Sequence, residues 1–286
     1  MLQMWLKLIL IVCTLITLSY SLPSNSVKFN DVFKWLCGNI SVSDDGNSVI
    51  ASLKNGTGSS GFVSLTNYTD GLFSAYIKLP PQNYTAGIVV TFYLSNTLEQ
   101  HDEIDFEFLG HTDIEEWILQ TNFYGNGNFQ GKEERYKLGF DPSKEAHKYS
   151  IYWADDHILY YIDNVPIREV KKVDGVDYPS KPMALYAAIW DGSDWATDGG
   201  KAKANYTFEP FVAEYSNFAY KGCWIDPNQN VRVCGGSDLV EGNGIMTPPL
   251  LEKYETFRKE YLTYSYCLDK ARYNTTMPEC LVPPLQ

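Results

Sequence analysis

The sequence predicts an all-β protein, a sandwich or jelly roll, that carries a short cysteine-stapled extension with one helix. Three observations support this. Short alternating or β-branched segments recur between turn residues through most of the chain. One of those segments sets three carboxylates on a single face. Four of the six cysteines crowd into the last quarter. Many short strands without alternating helices separate the fold from the α/β classes. At 286 residues the chain has the length for one large all-β domain or two ordinary ones.

The first element is a targeting segment. Lys7 precedes an apolar run from Leu8 to Leu18, followed by Ser19, Tyr20 and Ser21. That run is too short to cross a bilayer but suits a secretory signal. Residues 1–21 are therefore expected to be removed, with cleavage near Ser21 or Leu22. Loss of Lys7 takes the basic count from 23 to 22 and the formal charge from −12 to 22 − 35 = −13. No other run is long enough to span a membrane, so none is expected to hold the mature chain there.

Residues 22–220 read as the β domain. Gly71–Leu79 alternates. Ala86–Leu94 is a β-branched and aromatic run typical of a buried strand, and Glu116–Tyr124 alternates around Gln120 and Asn122. Lys148–Trp153 and Ile158–Ile162 flank Ala-Asp-Asp-His as a hairpin, and Lys181–Trp190 is another apolar strand. Residues 221–286 read as an appended module. Pro248 and Pro249 follow Thr247 as a helix start, and Leu250, Tyr254, Phe257 and Tyr261 recur at helical spacing over about 14 residues.

Cys13 leaves with the signal, and secretion favours disulfides among the rest. Local pairing of Cys223 with Cys234 and of Cys267 with Cys280 is the simplest arrangement, each small loop adding ~3 kcal/mol by chain entropy. Cys37 is left over, and a buried thiol is expected there. Six sequons, at Asn39, Asn55, Asn67, Asn83, Asn205 and Asn274, are candidate glycosylation sites in a secreted chain.

Aromatics make up 15 % of the chain, with 21 Tyr and 7 Trp, residues whose apolar faces and polar edges suit stacking on sugars. The acidic balance argues against nucleic acid and against an anionic membrane surface, and leaves a neutral polymer compatible.

Residues His101 to Gly110 read His-Asp-Glu-Ile-Asp-Phe-Glu-Phe-Leu-Gly. On a strand, Glu103, Asp105 and Glu107 share one face and Ile104, Phe106 and Phe108 the other. Paired carboxyls are the machinery of glycosidic cleavage, lying about 5–5.5 Å apart in retaining enzymes. Glu103 and Glu107 have Cα atoms roughly 13 Å apart on a strand, and side chains leaning together fit retention better than inversion. Asp105 between them can tune a neighbour's ionisation through a shared proton. A calcium site and a solvated strand face are the competing readings. The apolar opposite face argues against the second.

This decapeptide resembles the signature of plant xyloglucan endotransglucosylase/hydrolases, in glycoside hydrolase family sixteen. Tyr84–Tyr93, Leu119-Gln-Thr-Asn122, Phe140-Asp-Pro142, Val165-Pro-Ile-Arg168, Trp190–Gly200 and Tyr266–Tyr273 match the same family. The wording around Trp190 and Val165 looks closest to its third group. The resemblance implies a jelly roll with a cleft across its concave sheet, acting on xyloglucan in the cell wall or apoplast. A xyloglucan chain would be the donor, and another xyloglucan or an oligosaccharide the acceptor. It implies Glu103 as nucleophile, Glu107 as acid/base and Asp105 as helper. Gln120 and Asn122 would bind glucosyl units, with Glu133 and Arg135 on the next strand. Trp190, Asp194, Trp195 and Gly199 would stack near the nucleophile, and Arg272 would lie toward the acceptor. His101 is expected as a hydrogen-bond partner behind the trio.

No cofactor or metal is needed, since two carboxyls suffice, and a monomer is expected. A hydrolase, a mixed-linkage glucanase and a non-catalytic sugar-binding sandwich are the alternatives. Four departures from the family pattern stand out. Gly110-His111-Thr112 lacks the usual sequon. Gly139 stands where Trp is usual, implying looser packing or a lost sugar contact. Asp113, Glu115 and Glu116 form an acidic loop. Cys37 replaces a hydrophobe.

Overall fold

Residues 27–112, 116–237 and 244–283 are described by the computed structural model. The expected signal segment and the acidic pair Asp113 and Glu115 lie outside them. A one-turn helix α1 (Phe29–Val32) leads into β1 (Phe33–Cys37), β2 (Asn39–Val42), β3 (Ser48–Leu53), β4 (Ser59–Tyr68), β5 (Asp70–Lys78) and β6 (Ile88–Ser95). Then come β7 (Glu103–Leu109), β8 (Ile118–Tyr124), β9 (Glu134–Lys137), β10 (His147–Trp153), β11 (His157–Ile162) and β12 (Val165–Lys171). The chain continues through β13 (Met183–Asp191), β14 (Phe211–Asp226), β15 (Val231–Gly236), helix α2 (Pro248–Tyr261) and β16 (Leu262–Ser265).

These strands form the expected two-sheet antiparallel sandwich. The first sheet runs β1-β4-β13-β6-β7-β8-β9-β16 and the second β12-β11-β10-β5-β14-β3-β2, with β15 paired to β14. Alternation on each strand sends one set of side chains between the sheets. On β7 that set is Ile104, Phe106 and Phe108, all fully buried. Phe106 meets Tyr149 and Tyr160 of the second sheet edge-on at 5.7 and 5.3 Å, and Phe108 meets Tyr149 at 4.7 Å. Each buried aromatic contributes about 1.5–3 kcal/mol of apolar transfer. The inward half of β7 therefore anchors a strand whose other half is acidic.

The extension is built into the sandwich. Strand β16 pairs with β9, so it widens the first sheet by one strand. Helix α2 buries Tyr254 against Leu159, Tyr161 and Met246, and its Phe257 packs beside Tyr136. Disulfides join Cys223 to Cys234 across the β14–β15 hairpin and Cys267 to Cys280 in the tail. The expected boundary after residue 220 falls inside β14, which pairs with β5 on one side and with β3 and then β15 on the other.

Two further expectations change. Cys37 is half-buried rather than fully buried, with its Sγ 3.2 Å from Ser59 Oγ at the end of an edge strand. Gly139 does not leave a gap. Its φ is +72°, and an added Cβ would sit 2.5 Å from the Tyr261 ring, so the tail helix fills the space. All six sequon asparagines are exposed. No helix among the described residues is long and apolar enough to cross a membrane.

Candidate active site

The outward face of the first sheet collects the carboxylates. Register places Tyr186, Tyr93, Asp105 and Asn122 in one row across β13, β6, β7 and β8. The next row holds Ala188, Thr91, Glu107, Gln120, Arg135 and Tyr264, reaching β9 and β16. Glu103 lies in the row on the other side of Asp105, opposite Ser95 and Tyr124.

Each acid has a different environment. His101 Nε2 is 3.0 Å from Glu103 Oε2, and His101 Nδ1 is 2.9 Å from the Asn96 carbonyl oxygen. Asp105 is 4 % exposed and shares a hydrogen bond with Glu103, while its Oδ1 has no hydrogen-bond partner among the described residues. Burial pushes the Asp105 carboxyl well above the usual range, the charges of Glu103 and Glu107 add to this, and Arg168 opposes it. Glu107 is pushed up to about 7, first by burial. The Gln120 hydrogen bond and Arg135 pull it down, while Glu103 and Glu133 raise it. Gln120 Nε2 donates to Glu107 Oε2 at 2.6 Å, and Arg135 Nε donates to Gln120 Oε1 at 2.7 Å. Arg135 in turn stands over the Tyr264 ring at 5.7 Å. A relay of side chains thus runs from Glu107 to the tail strand.

The remaining sequence-selected residues fall around this row. Asn122 Oδ1 accepts from the Lys132 N–H at 2.9 Å, and the side chain also hydrogen-bonds Tyr124, so protein groups engage both ends of the amide. Glu133 precedes β9 and binds Arg272 Nη1 at 2.6 Å, joining tail to sheet. Trp190 and Trp195 pack together at 6.0 Å beside Val89 and Leu109. Register sets Trp190 level with Leu109, at the Glu107 end of β7 rather than beside Glu103. Asp194 stands apart from the row, with a fully exposed carboxylate 3.3 Å from Lys203 Nζ. Gly199 helps line a cavity of about 720 Å³ at the Glu107 end, together with Leu109, Glu116, Arg135, Lys137 and Tyr264. Among the described residues no group of three or more His, Cys, Asp or Glu is placed to hold a metal ion.

Sequence reasoning missed two features. Tyr93 and Tyr186 stack at 5.0 Å and 16° beside Asp105, on strands far apart in the chain. The outward parity of Tyr93 was the available signal, but the strand read as buried on both faces. Asp102 is fully buried and accepts from the N–H groups of Asn126, Ser180 and Lys181 at 2.7, 2.7 and 2.8 Å. It ties the segment before Glu103 to two loops.

Known proteins share this architecture. The profile of glycosyl hydrolases family 16 matches residues 29–208, and that of the xyloglucan endo-transglycosylase (XET) C-terminus matches residues 240–280. A probable xyloglucan endotransglucosylase/hydrolase protein 27 of Arabidopsis thaliana is 48 % identical over 93 % of this chain and 82 % of that one. A probable xyloglucan endotransglucosylase/hydrolase protein 28 of the same plant is 47 % identical over 91 % of this chain and 81 % of that one. Among solved structures, Bacillus licheniformis beta-glucanase superposes with a TM-score of 0.51 at 21 % identity, over 66 % of this chain and 91 % of that one. The two profiles and the relatives nearing half identity place the chain in glycosyl hydrolase family 16, among the xyloglucan endotransglucosylase/hydrolases.

Proposed function

We propose that the protein cleaves the β-1,4-glucan backbone of xyloglucan by a retaining mechanism and transfers the glycosyl group to another xyloglucan chain in the cell wall. The observation that carries this reading is the placement of Glu103, Asp105 and Glu107 on one face of β7, with burial holding Asp105 and Glu107 above the ordinary carboxylate range. A carboxyl that keeps its proton near neutrality, beside a second acid on the same face, supplies a proton donor and a nucleophile. The relatives' names support xyloglucan as the substrate, and the targeting segment supports secretion.

In the first step a Glu103 carboxylate oxygen attacks the anomeric carbon. The glycosidic bond breaks, and the Glu107 proton passes to the departing oxygen. Asp105, kept neutral by burial and by its two acidic neighbours, donates its proton to a hydrogen bond with Glu103 and orients it. In the second step the Glu107 carboxylate takes a proton from an acceptor hydroxyl, whose oxygen attacks the anomeric carbon and releases Glu103. A xyloglucan end as acceptor gives religation, and water gives hydrolysis. The tail supplies Arg272, Tyr264 and β16 to one side of this face, the side proposed for the acceptor.

The test is incubation with xyloglucan and a labelled xyloglucan oligosaccharide. Label entering polymer is the expected result. Falling viscosity with new reducing ends and no label transfer makes the protein a hydrolase. Unaltered polymer would leave only a binding role. A second expectation concerns pH. Glu107 must carry its proton to act as acid, so kcat/KM falls as pH rises through about 7. A profile that stays flat well above neutrality would count against Glu107 as the donor.

A further inference from the structure

His101 bridges two oxygens. Its Nδ1 lies 2.9 Å from the Asn96 carbonyl oxygen and its Nε2 3.0 Å from Glu103 Oε2. A carbonyl and an ionised carboxylate only accept hydrogen bonds, whereas a neutral imidazole has one donor and one acceptor nitrogen. Only the imidazolium satisfies both contacts at once.

The surroundings fit a cation. Glu103 supplies negative charge, Asp102 adds a smaller share because it is already paired with Lys181 Nζ at 3.2 Å, and Tyr124 of β8 faces the ring at 6.3 Å. Phe129 stacks on the other side at 5.5 Å and 18°, and is itself 65 % exposed, so it lies between the ring and solvent. Neither ring offers a competing charge. The hydrogen bond to Glu103 raises the imidazole above its ordinary value, and burial opposes this.

We propose that His101 works as an imidazolium and is a positioning residue that holds the Glu103 side chain in one orientation through both half-reactions. The proposal rests on Glu103 being the nucleophile. When Glu103 bonds to the anomeric carbon, its negative charge is consumed and its oxygen becomes part of a neutral ester. The His101 N–H then faces that ester. When the ester breaks, the carboxylate re-forms beside a donor already in place. A preorganised donor aimed at developing charge speeds the step that creates it. His101 therefore matters most for release of Glu103, the step shared by transfer and hydrolysis.

The test uses the full-length protein labelled with ¹⁵N. Imidazole correlation spectra at about pH 7.5, a unit above the ordinary histidine value of ~6.5, report which ring nitrogens carry protons. Comparison with His101→Gln assigns the signal among the four histidines. The expected result is that both His101 nitrogens are protonated in the wild type and that this state is lost in Glu103→Gln. In turnover, His101→Gln is expected to lower kcat by about 10²-fold, the scale of a misplaced reacting group. The KM for polymer should stay within about two-fold of wild type, since the ring touches the carboxylate rather than the polymer. The glycosyl-ester fraction seen by intact mass should rise, because release of Glu103 slows. A neutral wild-type ring with a bare Nε2, or a His101→Gln protein with unchanged kcat, overturns the proposal. A protonated ring alongside an active Glu103→Gln protein overturns the nucleophile reading and the positioning role with it.

Discussion

Replacing Glu103 with Ala is expected to leave a folded protein without transfer or hydrolysis. The loss should be on the order of 10⁴-fold or more in kcat, the scale seen when a nucleophile is removed from another covalent catalyst. That corresponds to roughly 5.5 kcal/mol of barrier. The fold should survive, because Glu103 faces outward and the core contacts of β7 come from Ile104, Phe106 and Phe108. Removing one of three acids in a row also removes like-charge repulsion from a strand face. The variant should therefore unfold at a temperature no lower than the wild type, with His101 and Asp105 losing their shared partner. Activity within ten-fold of wild type in this folded variant would contradict the mechanism.

The second large effect lies at the joint between tail and sandwich. Glu134 on β9 is almost fully buried and receives two hydrogen bonds from Arg258 of α2, at 2.6 and 2.8 Å. Tyr136 and Ser265 donate to the same carboxylate at 2.5 and 2.8 Å, and Arg168 Nε lies 3.6 Å away. Removing Arg258 takes away the nearer cation and two hydrogen bonds and leaves Arg168 at 3.6 Å as the remaining counter-charge; loss of one partner of a buried pair costs about 3–5 kcal/mol. Arg258→Ala should lower the unfolding midpoint by roughly 10 °C, at ~2–4 °C per kcal/mol for a domain near this size. A change within two degrees would mean that the tail docks by its apolar contacts alone.

The same carboxylate sets an acid limit. Burial alone would raise its pKa, but the hydrogen bonds from Arg258 and the charge of Arg168 hold it at about 2. A depressed folded value means that the stabilisation is present above the unfolded carboxylate range near ~4.3 and is lost as pH falls toward 2. Acid unfolding of the wild type should show that loss between these values, and Glu134→Gln should lack that part of the pH dependence.

The β7 strand was legible because its period-two pattern needs no distant information: the apolar half enters the core and the acidic half cannot. Helix α2 was equally local, with Pro248 and Pro249 at its start and Tyr254 and Phe257 on its buried side. What stayed hidden depends on pairing between strands distant in sequence. Tyr93 and Tyr186 meet only because β13 lies beside β6, and the placement of Trp190 at the Glu107 end follows from the same register. Strand β14 runs through the expected boundary because its pairing with β5 continues to Cys223, past a register shift at Asn217, where φ is 48°. The burial of Asp102 was hidden for a related reason, since its partners are main-chain N–H groups of two separate loops.

The central claim is a covalent glycosyl ester on Glu103. Rapid acid quenching of the enzyme turning over xyloglucan, followed by proteolysis and mass spectrometry, tests it most directly. The predicted result is a peptide spanning His101–Gly110 that gains the mass of a xyloglucan fragment, with fragmentation placing the addition on Glu103 and with no adduct in Glu103→Ala. An adduct on Glu107 or Asp105, or full turnover without any adduct and with inversion at the anomeric carbon, would contradict it.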